Sequence, residues 1–250
     1  ALIMKKILNE IDDIVPEMLD GMMLACPNLK VIPDTQVVVR KDAPVKGKVG
    51  LISGGGSGHE PAHAGYIGKG MLDAACAGAL FSSPSVDQMM EGIRTVDSGK
   101  GVLIIAKNYT GDNLNFDMAA ELLEDEGIQV EKVVVKDDIA VEESANTTGR
   151  RGVVGTVFVH KIAGAKAEAG AELQEVKRCA EKAIQNVRTF GFAFGPCIIP
   201  SVGKPGFTLG ENEMELGTGI HGEAGIKRME IPKSRELAEI LINGIKKDLS

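Results

Sequence analysis

Seven residues, Gly101-Val-Leu-Ile-Ile-Ala-Lys107, carry an unbroken apolar run between a glycine and a lysine. A run that short and that apolar suits a strand covered on both faces. Residues 129–135 repeat the signal. Between the two runs, residues 116–126 carry apolar side chains at helical spacing, and Gly127 follows as a C-terminal stop. The chain must therefore supply layers on both sides of a sheet, and an α/β layered domain is expected over residues 1–185.

Other elements fit that frame. Apolar spacing predicts a helix over 7–24 despite Pro16, an amphipathic helix over 86–96 with Asp87 in its first turn, and a closing helix over 172–188. Residues 35–40 and 48–53 read as short strands, the second running into a glycine loop. The texture then changes. Apolar pieces at 191–194 and 197–200 are broken by Gly and Pro, the loop 203–225 holds seven glycines, and a last helix is expected over 234–247. Residues 186–250 thus read as a second α/β domain, thin enough to be incomplete.

Composition narrows the partners. The net charge is -7, and no Lys/Arg cluster is long enough to track a phosphate backbone, which argues against nucleic acid. Cys26, Cys76, Cys179 and Cys197 are scattered without a C-x-x-C pair and read as small buried thiols. No apolar run reaches the ~18 residues of a membrane helix, and a cytoplasmic location is expected. With no Trp and two Tyr among 250 residues, the cores must come from aliphatic side chains.

The densest motif is Ser53-Gly-Gly-Gly-Ser-Gly-His59-Glu-Pro-Ala-His63. It lacks the lysine of a phosphate-binding P-loop. Started at Gly54, the dinucleotide pattern meets His59 where its last glycine belongs, and a nucleophile elbow on Ser57 fails at the same residue. His59-Glu60-Pro61-Ala62-His63 matches the letters of a zinc-protease helix, but that motif needs both histidines on one continuous helix. Pro61 is accepted only in a first turn, so a helix starting there leaves His59 outside, and no metal is expected. A cradle of backbone N–H groups leading into a helix is expected instead, with His59 at its lip. His63 is left either as a partner to this loop or as a bystander.

Two further stretches carry chemistry. Lys107-Asn-Tyr-Thr-Gly-Asp112-Asn-Leu-Asn115 follows the buried strand. Asp112 there suits a base for a substrate hydroxyl, or simply a turn residue, with Asn115 capping the next helix. In Gly217-Thr-Gly-Ile-His221-Gly-Glu-Ala-Gly225, four glycines frame a histidine, and neutral imidazole is a competent nucleophile toward a carbonyl. His160 sits in an apolar stretch, helix or strand, and is read as having no chemical role.

Together these motifs, with Asn212-Glu-Met-Glu-Leu before the third and Gly149-Arg-Arg-Gly152, resemble the K subunits of dihydroxyacetone kinases, from Met4 to the last residue. The resemblance implies that His221 holds dihydroxyacetone as a hemiaminal. It also implies that Gly56, Ser57, Gly58 and His59 line the substrate, with His59 as acid/base. Lys107 would bind the substrate, and Asp112 would activate its terminal hydroxyl. The phosphoryl group would come from a separate nucleotide-carrying L subunit, through an ADP cofactor fed by a phosphotransferase system or through exchangeable ATP, with Mg²⁺, leaving this chain without a cofactor of its own. A homodimer is the family expectation. A non-catalytic, dihydroxyacetone-binding regulator is the alternative that these motifs do not separate. Family members continue well beyond the end of this chain, in keeping with an incomplete second domain.

Overall fold

The computed structural model describes residues 6–142 and 148–250. In chain order they form α1 (Ile14–Ala25), β1 (Leu29–Val31), β2 (Val37–Arg40), β3 (Gly50–Ser57), β4 (Ala74–Leu80), α2 (Val86–Val96), β5 (Val102–Lys107), α3 (Thr110–Glu124) and β6 (Val130–Val135). These are followed by α4 (Thr156–Glu168), α5 (Leu173–Asn186), β7 (Phe192–Ala193), β8 (Glu213–Leu216), β9 (Lys227–Glu230) and α6 (Ser234–Leu249). The mixed α/β class expected from the sequence is the one observed.

Six strands form one sheet in the order β1-β2-β4-β3-β5-β6, and β7-β8-β9 form a separate antiparallel sheet. Strands β4, β3, β5 and β6 run parallel, while β1 and β2 add an antiparallel edge. Because side chains alternate across a strand, β5 feeds two cores at once. Val102, Ile104 and Ala106 pack with Met89, Ile93, Phe116 and Leu123 from α2 and α3. Leu103 and Ile105 face Val159, Ala163, Val176 and Ala180 from α4 and α5. This is why the run at 101–107 could be apolar at every position. A smaller core sets Val15 and Leu19 of α1 against Val38 and Ala75.

Several sequence expectations shift. α1 begins at Ile14 rather than residue 7, which puts Pro16 in its first turn, where no intrahelical N–H is required. The helix expected from 116 begins at Thr110, so Asn115 is no cap; its side-chain amide donates to the Pro84 carbonyl at 2.8 Å. The glycine run is not a loop. Gly54, Gly55 and Gly56 extend β3 and lie opposite Cys76, Ala77 and Gly78 of β4. A Cβ on Gly56 would stand 2.5 Å from the Ser82 nitrogen, so side-chain-free backbone is what allows the strand to continue. No helix starts at Pro61; residues 60–63 are turns, followed by one short helical turn, Ala64–Tyr66. The long loop at 203–225 contains β8. Of the four cysteines, only Cys76 is buried, Cys179 is half-buried, and Cys26 and Cys197 are exposed.

Candidate active site

The site lies where two strands part. β3 pairs with β5 only over Gly50, Leu51 and Ile52, then stays with β4 as far as Ser57, while β5 stays with β6 as far as Lys107. The chain leads from β3 to β4 on one side and from β5 to β6 on the other. Such a reversal opens a crevice at the carboxyl ends of the strands, the place where open α/β sheets bind ligands.

Gly55 marks the floor of this crevice. A Cβ there would meet Lys107 Nζ at 3.6 Å, Asp112 Oδ2 at 3.7 Å and His63 Nε2 at 3.7 Å. An ammonium, a carboxylate and an imidazole thus surround space that any other residue would occupy. Lys107 comes from the last position of β5. Asp112 comes from the first turn of α3, whose dipole favours a carboxylate. Both are buried. The helix reaches back to 110 because Asp112 and Phe116, four residues apart on one face, are both covered by the fold.

The other wall is aromatic. The His59 ring stands edge-on to Phe81 and to His221, at 4.8 Å between centroids in each case. Tyr109 packs edge-on against His221 at 4.7 Å. His221 reaches this wall on the connection between β8 and β9. There its Nδ1 lies 3.2 Å from Glu223 Oε1, and its backbone N–H donates to Glu223 Oε2 at 2.9 Å. Arg151 steadies the connection by donating to the Gly217 carbonyl at 2.8 Å while pairing with Asp138.

The structure therefore brings His59, Lys107, Asp112 and His221 into one crevice. Of the glycine-run residues, Gly56 presses on the Phe81–Ser82 backbone, and Gly58, at φ +109°, packs under the Phe81 ring. The Ser57 hydroxyl is turned aside, donating to the Gly78 carbonyl at 2.7 Å. The two histidines of the zinc-like motif point to different partners, since His63 Nδ1 lies 3.0 Å from His160 Nε2. Among the described residues, no group of three or more His, Cys, Asp or Glu could hold a metal ion.

Electrostatics divide the roles. Burial raises the Asp112 carboxyl above the ordinary carboxylate range, although a hydrogen bond from Ser83 and the nearby Lys107 oppose the rise. Burial, then the charges of Lys107 and His221, lower His59 to about 3. His59 is therefore neutral at pH 7, and Asp112 is the group better matched to taking a proton. Burial also lowers Lys107, with Asp112, Asp137 and Glu223 countering it. At Glu223 burial raises the carboxyl, but the hydrogen bonds from His221 outweigh it and bring it to about 2.

Sequence reasoning had not singled out Phe81, Ser83, Tyr109, Gly55 or Glu223. Tyr109 and Glu223 lay inside the motifs already marked, and the two-residue spacing of His221 and Glu223 was the available signal. Phe81 and Ser83 lie beyond β4, a strand whose Ala-, Gly- and Cys-rich sequence gave no strand pattern.

Residues 20–250 match the family model of the Dak1 domain. The chain belongs to the Dak1 family. It is 56% identical over 243 residues to the dihydroxyacetone-binding subunit of a PTS-dependent dihydroxyacetone kinase of Listeria innocua, covering 97% of this chain and 74% of that one. Among solved structures, the dihydroxyacetone kinase of C. freundii in complex with AMP-PNP and Mg²⁺ superposes with a TM-score of 0.89 at 40% identity, over 96% of this Dak1 chain and 45% of that chain. A dihydroxyacetone kinase operon co-activator superposes with a TM-score of 0.87 at 39% identity, over 96% and 72%.

Proposed function

We propose that this Dak1 chain binds dihydroxyacetone as a hemiaminal on His221 and presents its terminal hydroxyl for phosphorylation. The observation that carries the reading is the meeting of His221, His59, Lys107 and Asp112 in one crevice, although they arrive from three separate stretches of the chain. Glu223 beside Nδ1 of His221 favours the tautomer with its proton on Nδ1, which leaves a lone pair on Nε2. That lone pair adds to the C2 carbonyl carbon, the carbonyl π electrons move to oxygen, and the oxygen takes a proton from solvent water while neutral His59 hydrogen-bonds to it. The Glu223 carboxylate offsets the positive charge left on the ring. No water leaves, so the protein gains the mass of the whole ketone.

Covalent capture suits a molecule too small for noncovalent contacts to hold selectively, and it rejects glycerol, which has no carbonyl. It also fixes the hydroxyl near Asp112 and Lys107. On transfer, the hydroxyl oxygen bonds to the donor phosphorus, its proton passes to Asp112, and the nucleotide departs with the electrons of the broken P–O bond. The phosphoryl group is carried on a nucleotide held by a separate L-type partner, either an ADP cofactor that a phosphotransferase system rephosphorylates in place or exchangeable ATP with Mg²⁺, and the chain works as a homodimer. Intact mass spectrometry of the protein with dihydroxyacetone tests the capture step: a one-ketone gain is expected for the natural chain and none for His221→Ala.

The likeness to the operon co-activator supports a second reading, a dihydroxyacetone-binding regulator without turnover. Phosphorylation assayed with a nucleotide-carrying partner separates the two. An adduct without product would favour the regulator.

A further inference from the structure

His63 and His160 are unused by the mechanism above, yet their arrangement is specific. Both are buried, at 7% and 0% exposure, and their rings meet edge-on through a 3.0 Å contact between His63 Nδ1 and His160 Nε2. The two outer nitrogens, His63 Nε2 and His160 Nδ1, are buried without a hydrogen-bond partner. A buried polar atom left unpaired is costly, so an arrangement with one at each end of a bonded pair calls for a reason. One end is the site: His63 Nε2 faces the space beside Gly55, together with Lys107 Nζ and Asp112 Oδ2. Both rings also line a cavity of about 260 Å³ with Tyr66, Val157 and the site residues His59 and Lys107, so the cavity adjoins the site.

The charged and titratable groups around the pair include Lys107 from β5, Asp112 from α3, and His59 and Glu60 from the glycine turn, with Tyr66 beside His160. Burial and the neighbouring Lys107 push both imidazoles down, His160 to about 3 and His63 well below its ordinary value, so the pair carries no charge at neutral pH. Two neutral imidazoles in contact share one proton in their bond and have two tautomeric arrangements. In the first, His63 donates from Nδ1, its Nε2 is a bare acceptor, and His160 carries its proton on Nδ1. In the second, His160 donates from Nε2, His63 carries its proton on Nε2, and His160 Nδ1 is bare. Passing from the first to the second takes up one proton at the site and releases one at the far end.

We propose that His63 and His160 form a proton-exchanging pair that clears the hydroxyl proton from Asp112 after each phosphoryl transfer. The idea rests on the kinase reading above. A water molecule in the space beside Gly55 takes the proton from Asp112 and gives one of its own to His63 Nε2. His63 Nδ1 passes its proton to His160 Nε2, and His160 Nδ1 releases its proton to water in the cavity. One proton enters, one leaves, and neither ring ends charged. Once product has left, His63 Nε2 returns its proton to water in the open site, His160 passes its Nε2 proton back to His63 Nδ1, and His160 Nδ1 regains one from the cavity, which resets the pair. Both histidines are positioning residues, since they act on Asp112 through water and do not touch the substrate.

The test uses the chain with its nucleotide-carrying partner and His160→Gln, which can hydrogen-bond to His63 but cannot exchange protons in this way. The variant is expected to form the His221 adduct and keep KM within about twofold, while kcat falls by about tenfold or more and is partly restored by added imidazole. An unchanged kcat with the adduct intact would overturn the relay and leave the kinase reading standing. If the natural protein forms no adduct or no product, the kinase reading itself fails. Should His160→Gln not fold, ¹⁵N NMR of the histidines in the natural protein decides. Two neutral rings coupled across the 3.0 Å contact are expected at neutral pH. An imidazolium at either position would overturn the proposal.

Discussion

The imidazole of His221 stands edge-on to that of His59 with ring centroids 4.8 Å apart, one ring on the β8–β9 connection and the other on the turn after β3. A site closed by groups from two different sheets depends on how those sheets meet. Arg151, from the segment before α4, helps set that meeting by donating to the Gly217 carbonyl while pairing with Asp138.

Glu223→Gln is expected to keep the fold and slow adduct formation by about tenfold or more, because an amide at this position no longer offsets the charge on the alkylated ring. Time-resolved intact mass spectrometry reads the rate. A rate equal to that of the natural protein would remove Glu223 from the mechanism.

Asp112→Asn is expected to retain the adduct and lose about 10²-fold or more in turnover, since Asp112 is the carboxylate that faces the space beside Gly55. Mass spectrometry checks the adduct and product formation checks the loss. In the natural enzyme, Asp112 must be ionised to act as base, so activity should fall as pH drops through its raised pKa. The acid limb should therefore lie above the ordinary aspartate value of about 3.9.

Two adjacent glycines should respond differently to alanine. At Gly56 the new methyl would stand 2.5 Å from backbone, and a loss of roughly 1–3 kcal/mol in denaturant unfolding is expected. At Gly55 it would meet atoms only at 3.6 Å and beyond, ordinary contact, so stability should hold while turnover collapses because the polar space is filled. Equal stability losses at the two positions would contradict this account.

Stability should fall in mild acid. The folded state holds His59 and His160 at about 3 and His63 well below its ordinary value, chiefly by burial, whereas the unfolded chain protonates them near 6.5. The unfolded state therefore binds more protons below about 6.5, and their contribution, fully present above that value, is lost as pH falls toward about 3. Denaturation at a series of pH values should show a slope up to roughly 1 kcal/mol per pH unit shallower in His160→Gln than in the natural chain.

Much of the sheet was legible because its signals are local. The apolar run at 101–107 announced a doubly covered strand, and the spacing over 86–96 matched α2 to the residue. β4 escaped because Ala74, Ala75, Cys76 and Gly78 have little strand preference of their own; they are held by neighbours on both sides. The Gly54–Gly56 stretch looked like a flexible loop because glycine permits so many conformations. Pairing with β4 and the closeness of the Phe81–Ser82 backbone select the extended one.

For the site, residue types and local order determined which groups carried chemistry: a histidine framed by glycines, a lysine and a carboxylate after a buried strand, and a histidine ending the glycine run. Only the tertiary structure decided which of them meet, that Asp112 sits on a helix, and that His63 is joined to His160. The reason is physical. Nucleophilicity and ionisation belong to single side chains and can be read one residue at a time, whereas burial, pKa and distance arise between segments remote in the chain.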